Sequence, residues 1–275
     1  MKRILLLAAA STSALLPSAS VTATAAPAVF HHPAIHNRGV QSAGWASSNW
    51  SGYAKTGTYT SATARWVVPG VTATKSASYS SAWVGIDGFN NSNLIQTGTE
   101  SDWYNGSAHY NAWWEILPAP ETPISSITVH PGDVMTASIT KGGGSTWTIT
   151  ITNTTTNQTF TTQKSYSGPG SSVEWVEEAP TVGGRTATLA HYSSPDTFDP
   201  GTANGANPGL TAADSGVMIQ KHSQVSTPSL PDGDTDGFNG LRLHRSRGAI
   251  DVRHPNDSRG APGTSRSAPR SLRLR

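Results

Sequence analysis

From Asn49 to Tyr166 the chain alternates with a period of two. Ser, Thr, Val, Ile, Trp and Tyr succeed one another on opposite sides, and clusters of Gly, Asn, Asp and Pro interrupt them every few residues. Successive side chains of an extended strand point to opposite faces, whereas an amphipathic helix needs apolar residues three and four apart. No stretch shows a helical period, so the chain can cover its apolar residues only by pairing strands and stacking the resulting sheets. The pattern predicts strands over 48–54, 62–68, 81–86, 93–98, 107–117, 125–129, 133–140, 145–153, 158–166, 171–178 and 185–190. Gly142-Gly143-Gly144 and Thr154 to Asn157 read as hairpin loops between such strands. Many short antiparallel strands at this spacing specify an all-β fold, a sandwich of two antiparallel sheets of the concanavalin-like jelly-roll kind.

With no cysteine, no disulfide framework is available and the core must hold the domain unaided. Residues 45–243 are long enough for one domain with a substantial core. Ahead of it, Lys2 and Arg3 precede the apolar run Ile4 to Ala10, and Ala23-Thr24-Ala25 fits a signal-peptidase site. Residues 1–25 therefore read as a signal peptide and the protein as secreted. No later segment approaches the roughly 20 apolar residues of a membrane span, so no membrane association is expected after its removal. Residues 26–44, with Pro27, Pro33, His31, His32 and His36, read as a linker or pro-segment. The stretch offers those histidines no acidic or thiolate partner, so no metal is assigned to it. As an inhibitory pro-segment it would respond to the ionisation of its histidines as pH falls.

Charge is distributed unevenly. Residues 244–275 hold eight arginines against two aspartates and read as a disordered, dispensable tail, whereas residues 45–243 hold 8 basic against 15 acidic residues, a formal charge of −7. An acidic domain repels nucleic acid, so no nucleic-acid partner is expected. Nothing calls for a cofactor or for a symmetric interface, and a monomer is expected.

Alternation also assigns faces. Asn111, Trp113 and Glu115 share one side of their strand; Glu174, Val176 and Glu178 share one side of another; Leu94 and Gln96 point together. A sheet face bearing Gln96, Glu115, Glu178 and exposed tryptophans would be a polar groove with aromatic walls, suited to an extended peptide or a sugar chain. Paired Glu115 and Glu178 would serve a carbohydrate-active sandwich as acid and nucleophile or base, a reading with no role for Gln96. Serine and cysteine peptidase chemistry has no support: there is no cysteine and no Gly-x-Ser-x-Gly elbow.

The motifs Ser48-Asn49-Trp50-Ser51-Gly52-Tyr53, Arg65-Trp66-Val67-Val68-Pro69, Ala82-Trp83-Val84-Gly85-Ile86-Asp87-Gly88, Ile95-Gln96-Thr97-Gly98, Ala112-Trp113-Trp114-Glu115 and Glu174-Trp175-Val176-Glu177-Glu178-Ala179-Pro180 occur in that order. With them the chain resembles the eqolisins, the glutamic peptidase family of secreted acid proteases. The resemblance implies a sandwich of two antiparallel sheets, polypeptide substrates and a glutamine–glutamate dyad carried onto Gln96 and Glu178, with Glu174 the main rival for the acid. It places Trp50, Trp83, Asp87, Trp113 and Glu115 around the substrate cleft. The implied mechanism has Glu178 as general base on water and Gln96 as donor to the oxyanion, at acid pH.

The chain departs from the fungal members in lacking disulfides and in its closing strand, which reads Phe238-Asn239-Gly240-Leu241-Arg242-Leu243 just before the basic tail. Damage to that strand would leave an exposed edge or a member that binds peptides without cutting them. Asp232-Gly233-Asp234-Thr235-Asp236-Gly237 begins like a calcium loop, but its twelfth position is Leu243, so it reads as a surface turn. Glycosylation sequons stand at Asn49, Asn90, Asn105, Asn153, Asn157 and Asn256.

Overall fold

The computed structural model describes residues 26–37 and 44–243. The expected signal peptide and the basic tail lie outside the described residues. Among these there is no α-helix, only a 3-10 turn at Ala212–Asp214, and thirteen strands of five residues or more carry the fold. In chain order they are β1 (Trp50–Thr56), β2 (Ser61–Val67), β3 (Ser81–Ile86), β4 (Ile95–Tyr104), β5 (Ser107–Ile116), β6 (Val134–Lys141), β7 (Thr146–Asn153), β8 (Gln158–Ser165), β9 (Ser172–Glu178), β10 (Asp196–Ala203), β11 (Ser215–Gln220), β12 (Ser223–Pro228) and β13 (Phe238–Arg242).

Hydrogen bonding runs unbroken through the order β8-β7-β6-β2-β10-β13-β12-β11-β1-β9-β3-β4-β5. The path doubles back at β13 and β12, laying β8-β7-β6-β2-β10 over β11-β1-β9-β3-β4-β5. Two indoles tie the layers: Trp66 Nε1 in β2 donates to Thr99 Oγ1 in β4 at 3.0 Å, and Trp175 Nε1 in β9 donates to Thr63 O in β2 at 2.8 Å. Between the layers lie Val84, Ile86, Ile149, Ile151, Trp147 and Val173, every one a residue that strand alternation turns inward. Truncating one such buried aromatic costs about 3–5 kcal/mol, which is how a domain without cysteine is held.

The expected sandwich is present, and most expected strands are found within a few residues of their bounds. No strand was expected over 215–220 or 223–228, where β11 and β12 lie, and three further differences stand out. Residues 125–129 form no strand: Ile124, Ile127 and Val129 are buried from a loop that caps the core. The expected strand at 185–190 is reduced to Arg185–Thr186. β10 escaped notice because Pro200 interrupts it; the register with β2 shifts between Phe198 and Gly201, which lets the ring in without a ladder donor. The closing strand is intact. β13 pairs with β10 and β12, and Phe238 lies buried, stacked on Phe198 with centroids 5.1 Å apart.

On the other face of the β1-β9-β3-β4-β5 layer sits a second, smaller apolar cluster of Trp50, Trp83, Leu94, Trp113 and Val176. The N-terminal segment crosses above it. Val29–Phe30 pairs antiparallel with Thr181–Val182, the Ala34 amide bonds Gly88 O at 3.0 Å, and the Ile35 amide bonds Asn49 Oδ1 at 2.8 Å. The segment expected to be a linker or pro-segment is thus docked along the groove.

Candidate active site

Glu178 ends β9, paired with Trp50 on β1 and with Ser81 on β3. Gln96 is the second residue of β4, paired with Gly85 on β3 and with Glu115 on β5. Alternation puts all three polar residues on the face of the smaller cluster, as the sequence pattern required. Trp83 lies between them. Its ring crosses Gly85, where a Cβ would come within 2.7 Å of it, and its backbone is pressed against Gly98, where a Cβ would sit 2.5 Å from the Trp83 Cβ. Only glycine permits that approach, and it brings Trp83 Nε1 to 2.9 Å from Glu178 Oε2, to which it donates.

Glu178 is fully buried and saturated with donors. Oε2 faces Trp83 Nε1 and the His31 Nδ1 at 3.0 Å; Oε1 accepts from the His32 amide at 3.3 Å and from Asn49 Nδ2 at 3.4 Å. Gln96 is equally buried. Its Nε2 donates to Glu115 Oε2 at 2.6 Å, which fixes the amide orientation, while Glu115 Oε1 accepts the His31 amide at 3.4 Å. His31 therefore spans the two halves of the site, its ring on Glu178 and its backbone on Glu115.

The imidazole of His31 is wholly enclosed. It stacks on Trp113 with centroids 3.9 Å apart and planes 13° from parallel, and its Nε2 lies 3.2 Å from Glu100 Oε1 and 3.4 Å from Glu121 Oε2. Burial alone would lower its pKa, but the charge of Glu178 and the contacts to Glu100 and Glu121 raise it well above the ordinary value. Burial pushes the Glu100 carboxyl up to about 7, against the pull of His31. Burial likewise lifts Glu115 to about 7, with His31 opposing and Glu178 adding to the shift.

The remaining expected residues separate into two groups. Trp50, Trp83 and Trp113 do converge on the site, but they are fully buried rather than exposed: the N-terminal segment covers them. Trp50 packs edge-on against Trp83 at 4.9 Å, and Trp113 Nε1 donates to Ser81 Oγ at 3.1 Å. Asp87 is instead a knot at the end of β3. With a left-handed φ of 72° it accepts from Tyr166 Oη at 2.6 Å, from the Gly170 and Ser171 amides at 2.8 Å each, and from Asn91 Nδ2 at 3.0 Å. It fixes the loop that leads into β9 and does not line the groove. Glu174, four residues before Glu178, faces Asp87 and Ser172, and burial raises its carboxyl well above the usual range.

Three residues that bear on the site were missed: Asn49, Glu100 and Glu121. Glu100 had a readable signal, since Gln96, Gly98 and Glu100 share a face of β4. Glu121 had none, lying in the stretch after β5. The Asp232 to Gly237 run is a turn closed by its own bonds, Asp232 N to Gly237 O at 3.0 Å and Asp236 N to Asp232 Oδ1 at 3.2 Å. No described helix is long and apolar enough to cross a membrane.

A family model described as the peptidase A4 family matches residues 48–236. Aspergillopepsin-2 of Aspergillus niger is 29% identical over 215 residues, covering 69% of this chain and 76% of that protein. Scytalidopepsin B of Scytalidium lignicola is 38% identical over 128 residues, 45% of this chain and 46% of the relative. Among solved structures, scytalido-glutamic peptidase with a transition-state analogue inhibitor superposes with a TM-score of 0.61 at 25% identity, covering 71% of this chain and 98% of that one. Aspergilloglutamic peptidase from Aspergillus niger gives 0.53 at 26% identity, over 60% and 99% of the two chains.

Proposed function

This chain belongs to the peptidase A4 family and is a glutamic endopeptidase, and from that premise we propose that it cleaves polypeptides in acid through Gln96 and Glu178, once exported. The observation that carries the reading is the pairing of a donor-rich carboxylate with an oriented amide across one groove. Trp83 Nε1 and Asn49 Nδ2 hold Glu178, and Glu115 holds the Gln96 amide by its nitrogen.

Ionised Glu178 removes a proton from a water, which attacks the scissile carbonyl. Gln96 Nε2 has two hydrogens; one stays on Glu115 and the other meets the oxyanion as charge develops. Glu178, now protonated, passes its proton to the leaving nitrogen, and that nitrogen needs it most in acid. Glu115, whose pKa is about 7, is protonated below neutrality, so the two carboxyls are pushed apart in role: one neutral orienter, one charged base. Glu174 stands outside this arrangement, beside Asp87 and Ser172.

In this reading residues 26–37 are a pro-segment. The His31–His32 peptide lies where a substrate must lie, and it occupies both oxygens of Glu178. Its departure is required before any water reaches the base.

The test is digestion of an unfolded protein at about pH 3 to 7, the range over which a carboxylate base titrates. The wild-type chain is compared with Glu178→Ala, Gln96→Ala and Glu174→Gln, and the N-terminus of the active species is sequenced. Acid-favoured cleavage lost in the first two variants and kept in the third, by a species beginning beyond Asn37, is the expected result. Activity that survives Gln96→Ala, or disappears with Glu174→Gln in a folded protein, overturns the assignment.

A further inference from the structure

The docked segment brings four carboxyl groups around one histidine, three on its ring and Glu115 on its backbone amide. Glu178 and Glu115 meet His31 from the dyad side, and Glu100 and Glu121 meet it from the other. No lysine or arginine bonds any of the four among the described residues. Resting on the reading of residues 26–37 as a pro-segment, we propose that His31 Nε2, Glu100 and Glu121 form a binding site for a divalent cation of the zinc type, which locks that segment over the dyad.

Geometry makes the case. Nε2 is 3.2 Å from Glu100 Oε1 and 3.4 Å from Glu121 Oε2, and the three donor atoms all lie within 4.8 Å of one another. Tetrahedral zinc with bonds of about 2.0–2.1 Å to nitrogen and oxygen sets its ligands about 3.3–3.4 Å apart. The two distances from Nε2 match that edge.

The ring is also held as a metal-bound histidine is held. Its Nδ1 faces Glu178 Oε2 at 3.0 Å and its plane is clamped on Trp113. With Nδ1–H kept on the Glu178 carboxylate, the Nε2 proton shared between Glu100 and Glu121 is what a cation replaces, taking the Nε2 lone pair and both carboxylates as ligands. Glu178 thereby becomes the outer partner of the ligand histidine, which ties the lock to the base itself.

Depth and chemistry narrow the ion. The Glu100 side chain is buried, while the Glu121 side chain retains 9% of its accessibility and marks the way in. One imidazole nitrogen with two carboxylates suits zinc and its transition-metal neighbours. Calcium takes more oxygen ligands and magnesium keeps an octahedral water shell, so neither is accommodated as well. A solvent molecule completes the fourth position. The sequence stretch around His31 lacks acidic residues, and the fold supplies them from β4 and from the stretch after β5.

The test uses the full chain carrying Gln96→Ala, which retains all four carboxylates and cannot process itself. Zinc chloride is titrated at about pH 7.5, with zinc displacing the His31 Nε2 proton as it binds, by calorimetry and by competition with a chromophoric chelator. Cobalt chloride serves as a spectroscopic probe. One zinc per chain, tetrahedral cobalt absorption, and at least tenfold weaker binding in both His31→Ala and Glu121→Gln are expected, with His32→Ala/His36→Ala unchanged. Glu121 lies outside every strand, so its variant remains informative if His31→Ala fails to fold. Absence of stoichiometric zinc, or binding unmoved by His31→Ala or by Glu121→Gln, overturns the proposal. Neither outcome touches the dyad, which is judged by peptide cleavage after the segment is removed.

Discussion

Stability of this domain should fall as pH rises from about 4 to 7, and the pair Glu177 and Asp196 shows why. Both are fully buried, Glu177 on the core-side face of β9 and Asp196 opening β10. Burial raises both carboxyls, with Asp196 adding to the shift on Glu177, whose proton is donated to Asp196. Asp196 is lifted from its usual 3.8 to about 7. A raised acid binds its proton more tightly folded than unfolded, so its stabilisation is complete below the unfolded pKa and is lost as pH climbs through the folded one. Roughly three pKa units at about 1.4 kcal/mol each give at most about 4 kcal/mol lost across that window. Asn cannot release a proton yet still accepts from Glu177, so Asp196→Asn should flatten the fall by up to that amount. Urea unfolding, in the Gln96→Ala background to prevent self-digestion, reads it directly: with m about 2 kcal/mol/M, the wild-type midpoint should drop by up to about 2 M between pH 4 and 7. A wild-type midpoint that is flat or rises with pH, or an unchanged slope in Asp196→Asn, refutes the reasoning.

Two other substitutions separate chemistry from scaffolding. Trp83→Phe keeps the ring on Gly85 but removes the N–H donated to Glu178; a hydrogen bond to a charged group is worth about 1.5–3 kcal/mol, so kcat/KM should fall about 10- to 100-fold with the fold retained, as peptide-cleavage kinetics and circular dichroism would report. Asp87→Ala strands the buried donors of Gly170, Ser171 and Tyr166 and should cost about 3 kcal/mol or more in thermal or urea unfolding, while the fraction still folded keeps its kcat. Loss of kcat without loss of stability would instead make Asp87 part of the cleft.

The parts of the site that were legible are those fixed by strand period. Gln96, Glu115, Val176 and Glu178 come to one face because the side-chain period of a strand is two, and a one-residue slip would send Trp175 there instead. What lies on top of a face is not encoded by that period. The three tryptophans of the groove are buried by a segment whose contacts span 84 residues to Glu115 and 147 to Glu178, so alternation could place the rings but not foresee their cover. β10 was illegible for a different reason: Asp199, Pro200 and Gly201 erase the alternation locally, and its place is set by β2 and β13 on either side.

A buried cluster of carboxyls poses a problem that pH resolves in one direction only. Glu100, Glu115, Glu174, Glu177 and Asp196 are all buried and all raised, because desolvation penalises their charged forms. Glu178 is as buried as they are, but it differs in its donors: Trp83, Asn49 and the docked segment supply four, against two for Glu115. Trp83 and Asn49 belong to the domain, so in the proposed mature enzyme they would keep two donors on that carboxyl in place of water. As pH falls, the raised carboxyls take up protons and cease to repel one another. The conditions that steady the fold are therefore the ones that neutralise the carboxyls around the groove, which is the direction in which the proposed acid cleavage also runs.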